Sequence, residues 1–459
     1  MKSYELKPTP ENLLDTFLKD CISRNIDVFR LIDILNAVDD CCSMAVDGNW
    51  GCGKTFFVKQ VKMIMDAHNK FITNGDETAR KKIIQKHLQY RSIDELEQVP
   101  QICVYYDAWE NDNDEDPMLS LVYNIMQSVD LEFSLNQNLD CLQLGASVLE
   151  FFSGKNFGQI IEKLRSNDPL AMLKRGKEVH QAIKEFLDSI MYERGNRLVL
   201  FIDELDRCRP EYAVKLLERI KHYFDNDRIT FVFSTNMKEL QHTIRRYYGN
   251  NFSAGKYLDR FFDLRIMLPK ADYQKFYTSM NFNDTRYTYD IVCGAVIQAY
   301  QFELREVAKY LRLAKIAAYK PTHDSSYHFS FSEEKGMQFC LLYVIPIMIG
   351  TKIHDMDVYE EFIHGKNCKP LLDISEALKE GFYDELLKSN ETYGSPNEKQ
   401  TQVFLKEKLK ELYNVIFVKQ YTGAEYCASV GYYTFGRDTK DELCRVAGLL
   451  SRYIDLEDD

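Results

Sequence analysis

The sequence lacks the features that mark an exported or membrane-spanning protein. None of its twelve cysteines lies in a Cys-x-x-Cys pair, which argues against both a zinc site and a disulfide framework. The N-terminal residues carry no apolar stretch typical of a signal peptide. The most hydrophobic run, Phe339 to Gly350, contains Pro346 and is too short to cross a bilayer, so we predict a buried helix. We therefore expect a cytoplasmic protein with reduced thiols and no membrane span.

The chain also lacks an excess of basic residues, internal repeats and low-complexity segments. Its 459 residues carry a net charge of -12, which argues against a protein that coats nucleic acid, because such binding depends on neutralising phosphates. A hydrophobic content of 45% and a charged content of 28% are typical of a globular protein. The length allows two or three domains.

Short apolar runs alternate with helical patterns in the first part of the chain. Continuous apolar runs indicate strands that are buried on both faces, as in a parallel sheet. We therefore predict a doubly wound α/β domain with the strands Met44–Val46, Ile102–Tyr106, Arg197–Ile202, Ile229–Phe233 and Leu264–Leu268.

The patterns also predict a division into domains. Residues 1–270 form the α/β domain, with a helical insertion at about 112–190. Residues 271–325 form a helical lid, and residues 326–459 form a mostly helical C-terminal domain. Within this last domain, the aromatic and glycine-bearing segment 426–435 predicts a hairpin.

A glycine-rich segment follows the first predicted strand and precedes a helical pattern. It matches G-x-x-x-x-G-K-T, in which glycines let backbone N–H groups converge on an anion at a helix N-terminus. Lys54 would bind the β- and γ-phosphates, and Thr55 would ligate Mg²⁺. For Trp50 we favour stacking over the loop rather than recognition of the base. The predicted nucleotide-binding residues are Gly48, Asn49, Trp50, Gly51, Cys52, Gly53, Lys54, Thr55 and Phe56.

Two acids, Asp203 and Glu204, directly follow the third predicted strand. Asp203 at a strand tip can hold Mg²⁺, and Glu204 can orient and deprotonate the water that attacks the γ-phosphate. The alternative is a pair of ordinary loop acids, which the phosphate loop upstream disfavours. The extra strand between loop and acids separates this chain from small-molecule kinases and GTPases, in which the two strands are neighbours in sequence.

Three further residues are candidates for catalysis. Asn236 ends the fourth predicted strand, where it would sense the nucleotide or position water, or else cap the following helix. Arg260 precedes the last strand and would reach the nucleotide of a neighbouring subunit, or form a structural salt bridge. Arg305 opens a helix of the predicted lid and would contact the γ-phosphate when the domains close.

Other polar residues carry weaker signals. Asp107 and Trp109 follow the second predicted strand and either line the nucleotide site or pack under it. We expect Asp206 and Arg207 to act as a structural or subunit-contact pair. The basic helical patch at residues 80–91 is interpreted as a solvated face, with contact to nucleic acid or to an acidic partner as the alternative.

Taken together, these motifs resemble the KAP family of P-loop NTPases. The family often carries inserted transmembrane helices, none of which is visible here, and it often has aspartate where this chain has Asn236. Residues 326–459 resemble no family that we recognise. The resemblance is carried by Gly48 to Thr55, Tyr106 to Trp109, Asp203 to Glu211, Lys256 to Pro269 and Leu304 to Glu306.

The resemblance implies a bacterial ATPase of the additional-strand, catalytic-glutamate class, with a parallel sheet in the order 5-1-4-3-2 and with ATP and Mg²⁺ as cofactors. Such proteins are often encoded in anti-phage defence or plasmid-borne exclusion modules, commonly beside a separate effector protein. We expect a conformational and oligomerisation switch in which ATP binding closes the helical domain and favours a homo-oligomer, and hydrolysis resets it. Two alternatives stay open: a nucleic-acid-stimulated motor or loader, and a nucleotide-binding scaffold without turnover.

Overall fold

The computed structural model of this protein divides into two compact units. The first unit is Lys7–Ala271, and the second takes in Asp272–Asp459. The domain boundaries drawn from the sequence stay predictions, and most of the predicted insertion at 112–190 lies outside the described residues. The structure describes residues 7–72, 75–90, 100–114, 116–133, 184–188, 190–191, 195–223, 226–280, 282, 287–323, 332–375, 378, 398–422 and 425–450.

Helices and strands alternate along the first unit. Its helices with described bounds are α1 (Pro10–Lys19), α2 (Asn25–Ala37), α3 (Lys54–His68), α4 (Glu77–Leu88), α5 (Pro117–Phe133), α6 (Pro210–Tyr223), α7 (Met237–Tyr248) and α8 (Ala254–Leu258). Its strands are β1 (Cys42–Asp47), β2 (Gln101–Asp107), β3 (Arg197–Asp203), β4 (Ile229–Thr235) and β5 (Leu264–Met267), so each predicted strand is confirmed.

The strands of this unit form one parallel sheet in the order β2-β3-β4-β1-β5. This is the predicted order read from the opposite edge of the sheet. Strand β4 therefore separates β1, which leads into the phosphate loop, from β3, which leads into the two acids. Because the strands are parallel, their carboxyl ends meet at one edge, which is where ligands bind in open α/β sheets.

Helices pack against both faces of the sheet, and successive side chains of a strand enter opposite cores. In β3, Leu200 and Ile202 belong to the buried cluster that includes α5 and α6, whereas Val199 and Phe201 belong to the cluster that includes α2 and α3. Every residue of β3 is buried. The strand that carries Asp203 is therefore fixed from both faces.

The second unit is mostly helical, as predicted. Two π-helical turns, Cys340–Val344 and Asn414–Val418, each follow directly on an α-helix. The predicted hairpin is confirmed as the antiparallel strands β6 (Cys427–Val430) and β7 (Tyr433–Gly436). The helices are α9 (Tyr273–Ser279), α10 (Thr288–Tyr300), α11 (Leu304–His323), α12 (Ser332–Phe339), α13 (Ile345–His354), α14 (Met356–Ile363), α15 (Lys369–Ser375), α16 (Glu398–Tyr413) and α17 (Thr439–Ala447).

The helix around Pro346 is longer than its apolar pattern indicates. It runs without interruption over Glu334–His354, 21 residues, and among the described residues it is the one helix long and apolar enough to cross a membrane. The prediction of a buried helix is confirmed, since 72% of its most apolar window is buried inside the structure. Proline lacks an N–H, and the π turn just before Pro346 lets the helix pass this position.

Candidate active site

The phosphate loop joins β1 to α3 through left-handed backbone conformations. Gly51 and Gly53 have φ angles of 83° and 92°, which a side chain would strain. At Gly48 an added Cβ would lie 2.8 Å from the Cys52 Sγ, so this position also has little room for a side chain. The loop ends at the N-terminus of α3, where N–H groups and the helix dipole favour an anion.

Lys54, the first residue of α3, folds back over this loop. Its Nζ donates to the carbonyl oxygens of Gly48 at 2.7 Å and Asn49 at 3.0 Å. Thr55 lies in the same first turn of α3, and the next residue, Phe56, is buried. The arrangement fits the phosphate-binding roles expected of Lys54 and Thr55, which stay predictions for this chain.

Asp203 ends β3 with its carboxylate held in one orientation. Only 1% of its surface is exposed. Its Oδ2 accepts a hydrogen bond from the Tyr105 hydroxyl at 2.9 Å, and its Oδ1 accepts one from the Glu204 N–H at 3.0 Å. No signal in the sequence singled out Tyr105, because it lies within an apolar strand.

The side chains of Asp203 and Thr55 suit Mg²⁺ better than they suit a metal ion that is held by protein ligands alone. Asp203 and Thr55 offer a carboxylate and a hydroxyl, and Mg²⁺ prefers such oxygen ligands. In NTPases, Mg²⁺ is usually held by one or two protein oxygens together with phosphate oxygens, so these two side chains suit the ion.

Glu204 has a left-handed backbone, with φ 59° and ψ 24°, which costs a non-glycine residue about 1 kcal/mol. Its Oε2 lies 2.6 Å from the Nε of Arg207. Burial and the charge of Asp203 raise the pKa of Glu204 to about 7, against the opposing effects of Arg207 and Lys54. A pKa near neutrality suits a general base.

Asp206 joins the acidic turn to the phosphate loop. Its Oδ2 accepts a hydrogen bond from the Trp50 indole N–H at 2.5 Å. Its Oδ1 accepts one from the Thr235 hydroxyl of β4 at 2.9 Å. Asp206 and Arg207 thus act on different partners, since Arg207 pairs with Glu204.

Trp109 faces the same turn from the end of β2. The Arg207 guanidinium lies over its ring at 5.5 Å and over the Trp50 ring at 5.8 Å. Trp109 is 52% exposed, so it does not pack under the site. Asp107 accepts hydrogen bonds from the N–H groups of Trp109 and Glu110, both at 3.1 Å, and thereby orders the turn that carries Trp109.

Asn236 is the N-cap of α7. Its Oδ1 accepts hydrogen bonds from the N–H groups of Lys238 at 3.1 Å and Glu239 at 3.3 Å. The structure therefore shows the capping role that the sequence left as an alternative. The cap uses only the amide oxygen, so a role for the amide nitrogen at the nucleotide stays a prediction.

The two candidate arginines are both exposed. The Arg260 side chain forms no ion pair with any residue that the structure describes, although its backbone carbonyl accepts a hydrogen bond from Lys221 at 2.7 Å. The structural salt bridge considered for Arg260 is therefore not seen with any of these described residues. Arg305 lies in the first turn of α11, in the second unit. A role in trans for Arg260 and a γ-phosphate contact for Arg305 stay predictions.

The basic patch lies largely on α4. Its first arginine, Arg80, donates to the carbonyl oxygens of Ala67, Asn69 and Ile72 at 2.8, 3.0 and 3.1 Å. Arg80 therefore serves the fold rather than a partner. Among the neighbouring cations, Lys81 is exposed, which agrees with the interpretation as a solvated face.

Two charged residues that sequence patterns did not single out support the loop. Arg24, 2% exposed, donates to the carbonyl oxygens of Cys52 and Pro269, both at 2.6 Å. Asp47, the last residue of β1, accepts a hydrogen bond from the Met237 N–H at 2.9 Å and pairs with Arg265 at 2.5 Å. Asp47 could have been identified from the sequence, because it lies directly before the loop. Arg24 could not, because its partners are distant along the chain.

Part of the chain is similar to a known protein. An uncharacterised protein of Methanocaldococcus jannaschii is 35% identical over 83 residues, which are 17% of this chain and 42% of that protein. The chain thus matches less than half the length of this relative.

Two solved structures from Aeropyrum pernix are also similar over most of their length. The ORC2 protein in ADPNP–ADP complexes is 12% identical, with 93% of each of the two chains covered and a TM-score of 0.34. The ORC1 protein in complex with DNA is 12% identical, with 97% of each of the two chains covered and a TM-score of 0.35. TM-scores this low support no conclusion about this chain.

A model of the KAP family P-loop domain matches residues 28–282, more than half of the sequence. The chain therefore belongs to the KAP family of P-loop NTPases.

Proposed function

We propose that this protein hydrolyses ATP in a Mg²⁺-dependent reaction centred on Lys54, Asp203 and Glu204. The observation that carries the proposal is the direct link between phosphate loop and acidic turn. Trp50 of the loop donates to Asp206 of the turn, which holds the loop beside the turn that carries Glu204. Membership of a P-loop NTPase family supports nucleotide binding at this loop.

The roles follow from the chemistry of each group. The loop N–H groups and Lys54 would bind the β- and γ-phosphates. Thr55 and Asp203 would hold Mg²⁺, which when bound neutralises charge on the phosphate oxygens. Glu204 would orient the attacking water and accept its proton, since phosphoryl transfer depends mainly on positioning and charge stabilisation.

We also propose a conformational and oligomerisation switch in which ATP binding favours assembly and hydrolysis resets it. In this scheme, Arg260 of one copy would reach the nucleotide of a second copy, and its exposed side chain supports the idea. A role in bacterial anti-phage defence, with a separate effector protein, rests on the family resemblance.

Turnover of ATP with Mg²⁺ tests the reaction. We expect wild-type hydrolysis that Lys54→Ala lowers by about 10²-fold or more, because the lysine stabilises transferring phosphate charge. Lys62→Ala, on the same helix but paired with Asp66, is the matched control and should keep the wild-type rate. Equal, negligible rates for wild type and Lys54→Ala would contradict the proposal and favour a scaffold. Turnover seen only with nucleic acid, and steeply dependent on salt, would favour a motor.

The mass of the protein in solution tests the switch. We expect a larger assembly with ATP and Mg²⁺ than without, and we expect Arg260→Ala to hydrolyse more slowly at concentrations at which wild type assembles. A mass that does not depend on nucleotide would contradict the oligomerisation step while leaving the hydrolysis proposal intact.

A further inference from the structure

The acidic turn folds Arg207 back onto Glu204. The left-handed backbone of Glu204 turns the chain directly after β3, and the Arg207 N–H donates to the Glu204 carbonyl at 3.0 Å. The two side chains then meet as an ion pair, with the Arg207 Nε 2.6 Å from Oε2. A non-glycine residue in this conformation persists only where its surroundings hold it, and such outliers often lie at functional sites.

The surroundings that hold Arg207 are two indole rings. Its guanidinium lies over the rings of Trp50 and Trp109, at 5.8 and 5.5 Å. Cations are attracted electrostatically to the faces of indole rings. Trp50 is itself fixed by its N–H contact with Asp206. Arg207 is thus oriented by the phosphate loop on one side and by the end of β2 on the other.

We infer that Arg207 is a positioning residue for Glu204 and that Trp50 and Trp109 set the orientation of Arg207. This inference rests on the proposed hydrolysis, in which Glu204 is the base. The planar guanidinium confines the carboxylate to one direction, and its contact with Trp50 ties that direction to the conformation of the phosphate loop. A base held in this way needs little reorganisation when it takes the proton of the attacking water.

Steady-state hydrolysis separates a positioning role from a structural one. We expect Arg207→Gln to lower kcat on the order of 10²-fold, the effect of a misplacement of about 1 Å, with KM for ATP almost unchanged. We expect Arg207→Lys to recover little of the loss, because an ammonium lacks the planar fork that pairs with a carboxylate and stacks on a ring. Arg209→Gln, an exposed arginine two residues away, is the matched control and should keep the wild-type kcat.

A double-mutant cycle tests whether Trp109 acts through Arg207. We expect Trp109→Ala to lower kcat, and we expect no further loss when Arg207→Gln is added, since residues that act as a unit are not additive. Losses that multiply would show that the ring acts independently and would overturn that part of the inference.

The two indoles also provide a readout that does not depend on turnover. Trp50 and Trp109 are the only tryptophans of the chain, so intrinsic emission comes from the rings beside Arg207. We expect Arg207→Gln to change this emission, and to change it equally in wild type and in the inactive variant Glu204→Gln. Arg209→Gln should leave the emission unaltered. Unchanged emission in Arg207→Gln would mean that the guanidinium does not lie between the rings, and it would overturn the inference.

The outcomes distinguish this inference from the proposed function. A wild-type rate no greater than that of Glu204→Gln would overturn both. A wild-type rate that Arg207→Gln retains would overturn the positioning role alone. If Arg207→Gln instead loses nucleotide affinity and thermal stability together with kcat, its role is structural and the inference is wrong.

Discussion

Acidification should destabilise the first unit through two histidines that face each other. The Nε2 of His68 on α3 lies 2.9 Å from the Nδ1 of His87 on α4. His87 is fully buried, and its ring stacks on Phe29 with centroids 4.6 Å apart. Its Nε2 has no hydrogen-bond partner among the described residues. Protonation would therefore place a charged N–H in a buried position without an acceptor.

The size of the effect follows from the pKa values. Burial lowers the pKa of both histidines from 6.5 to about 4, and the charges of His87 and Arg80 contribute to the shift of His68. Between pH 6.5 and about pH 4, the unfolded chain binds more protons at these histidines than the folded chain does. The stability that the two neutral histidines contribute is therefore present above pH 6.5 and is lost as the pH falls toward 4. Lowering the pH from 7 to 5 should reduce the free energy of unfolding by about 2 kcal/mol for each histidine. The pair together should give about 2–4 kcal/mol, because a proton on one ring opposes a proton on the other.

Urea unfolding at several pH values measures this loss. The emission of Trp50 and Trp109 reports on the first unit, in which both lie. Carboxylates also titrate in this range, so the informative quantity is the difference between wild type and the double variant His68→Gln, His87→Leu. We expect the wild type to lose about 2–4 kcal/mol more stability than this variant between pH 7 and pH 5. His222→Asn, which alters an exposed histidine, should follow the wild type, and parallel curves for all three proteins would refute the reasoning.

Two further predictions concern residues that hold the loop and the strand ends. Replacing Arg24 by Met removes hydrogen bonds to the backbone carbonyls of Cys52 and Pro269, so we expect a loss of about 2–4 kcal/mol in urea unfolding and weaker ATP binding. Arg30→Met, at an exposed site on the helix that directly follows Arg24, should change neither. Replacing Asn236 by Ala removes the cap of α7 and should lower the free energy of unfolding by about 1 kcal/mol, whereas Asn236→Asp keeps the cap. A fall in kcat for Asn236→Asp at wild-type stability would show that the amide nitrogen has a role at the nucleotide.

Local sequence carried most of the information about the first unit. Buried parallel strands need continuous apolar runs, and the phosphate loop needs glycines, so both leave patterns that can be read without a structure. The strand order followed from the family resemblance, and the sheet confirms it. The length of the helix around Pro346 was not visible, because its ends are polar and its proline suggests an interruption.

The partners within the candidate site could not be predicted in the same way. Trp50 and Asp206 are 156 residues apart, and no local pattern links them. The pairing of Glu204 with Arg207 depends on a left-handed backbone at a glutamate, which residue preferences would not suggest. The contacts that orient the loop and the acidic turn therefore required the fold.

The central claim is that Glu204 activates water at an ATP site formed by the phosphate loop. Phosphate release from ATP and Mg²⁺ by Glu204→Gln, measured alongside its ATP affinity, tests it most directly. We predict that this variant binds ATP about as tightly as wild type and releases phosphate at least 10²-fold more slowly, since proton transfer by a positioned carboxylate contributes about 10²–10⁴-fold. Glu211→Gln, at an exposed glutamate paired with Lys215, should match the wild type in both measurements. An undiminished rate in Glu204→Gln would contradict the account.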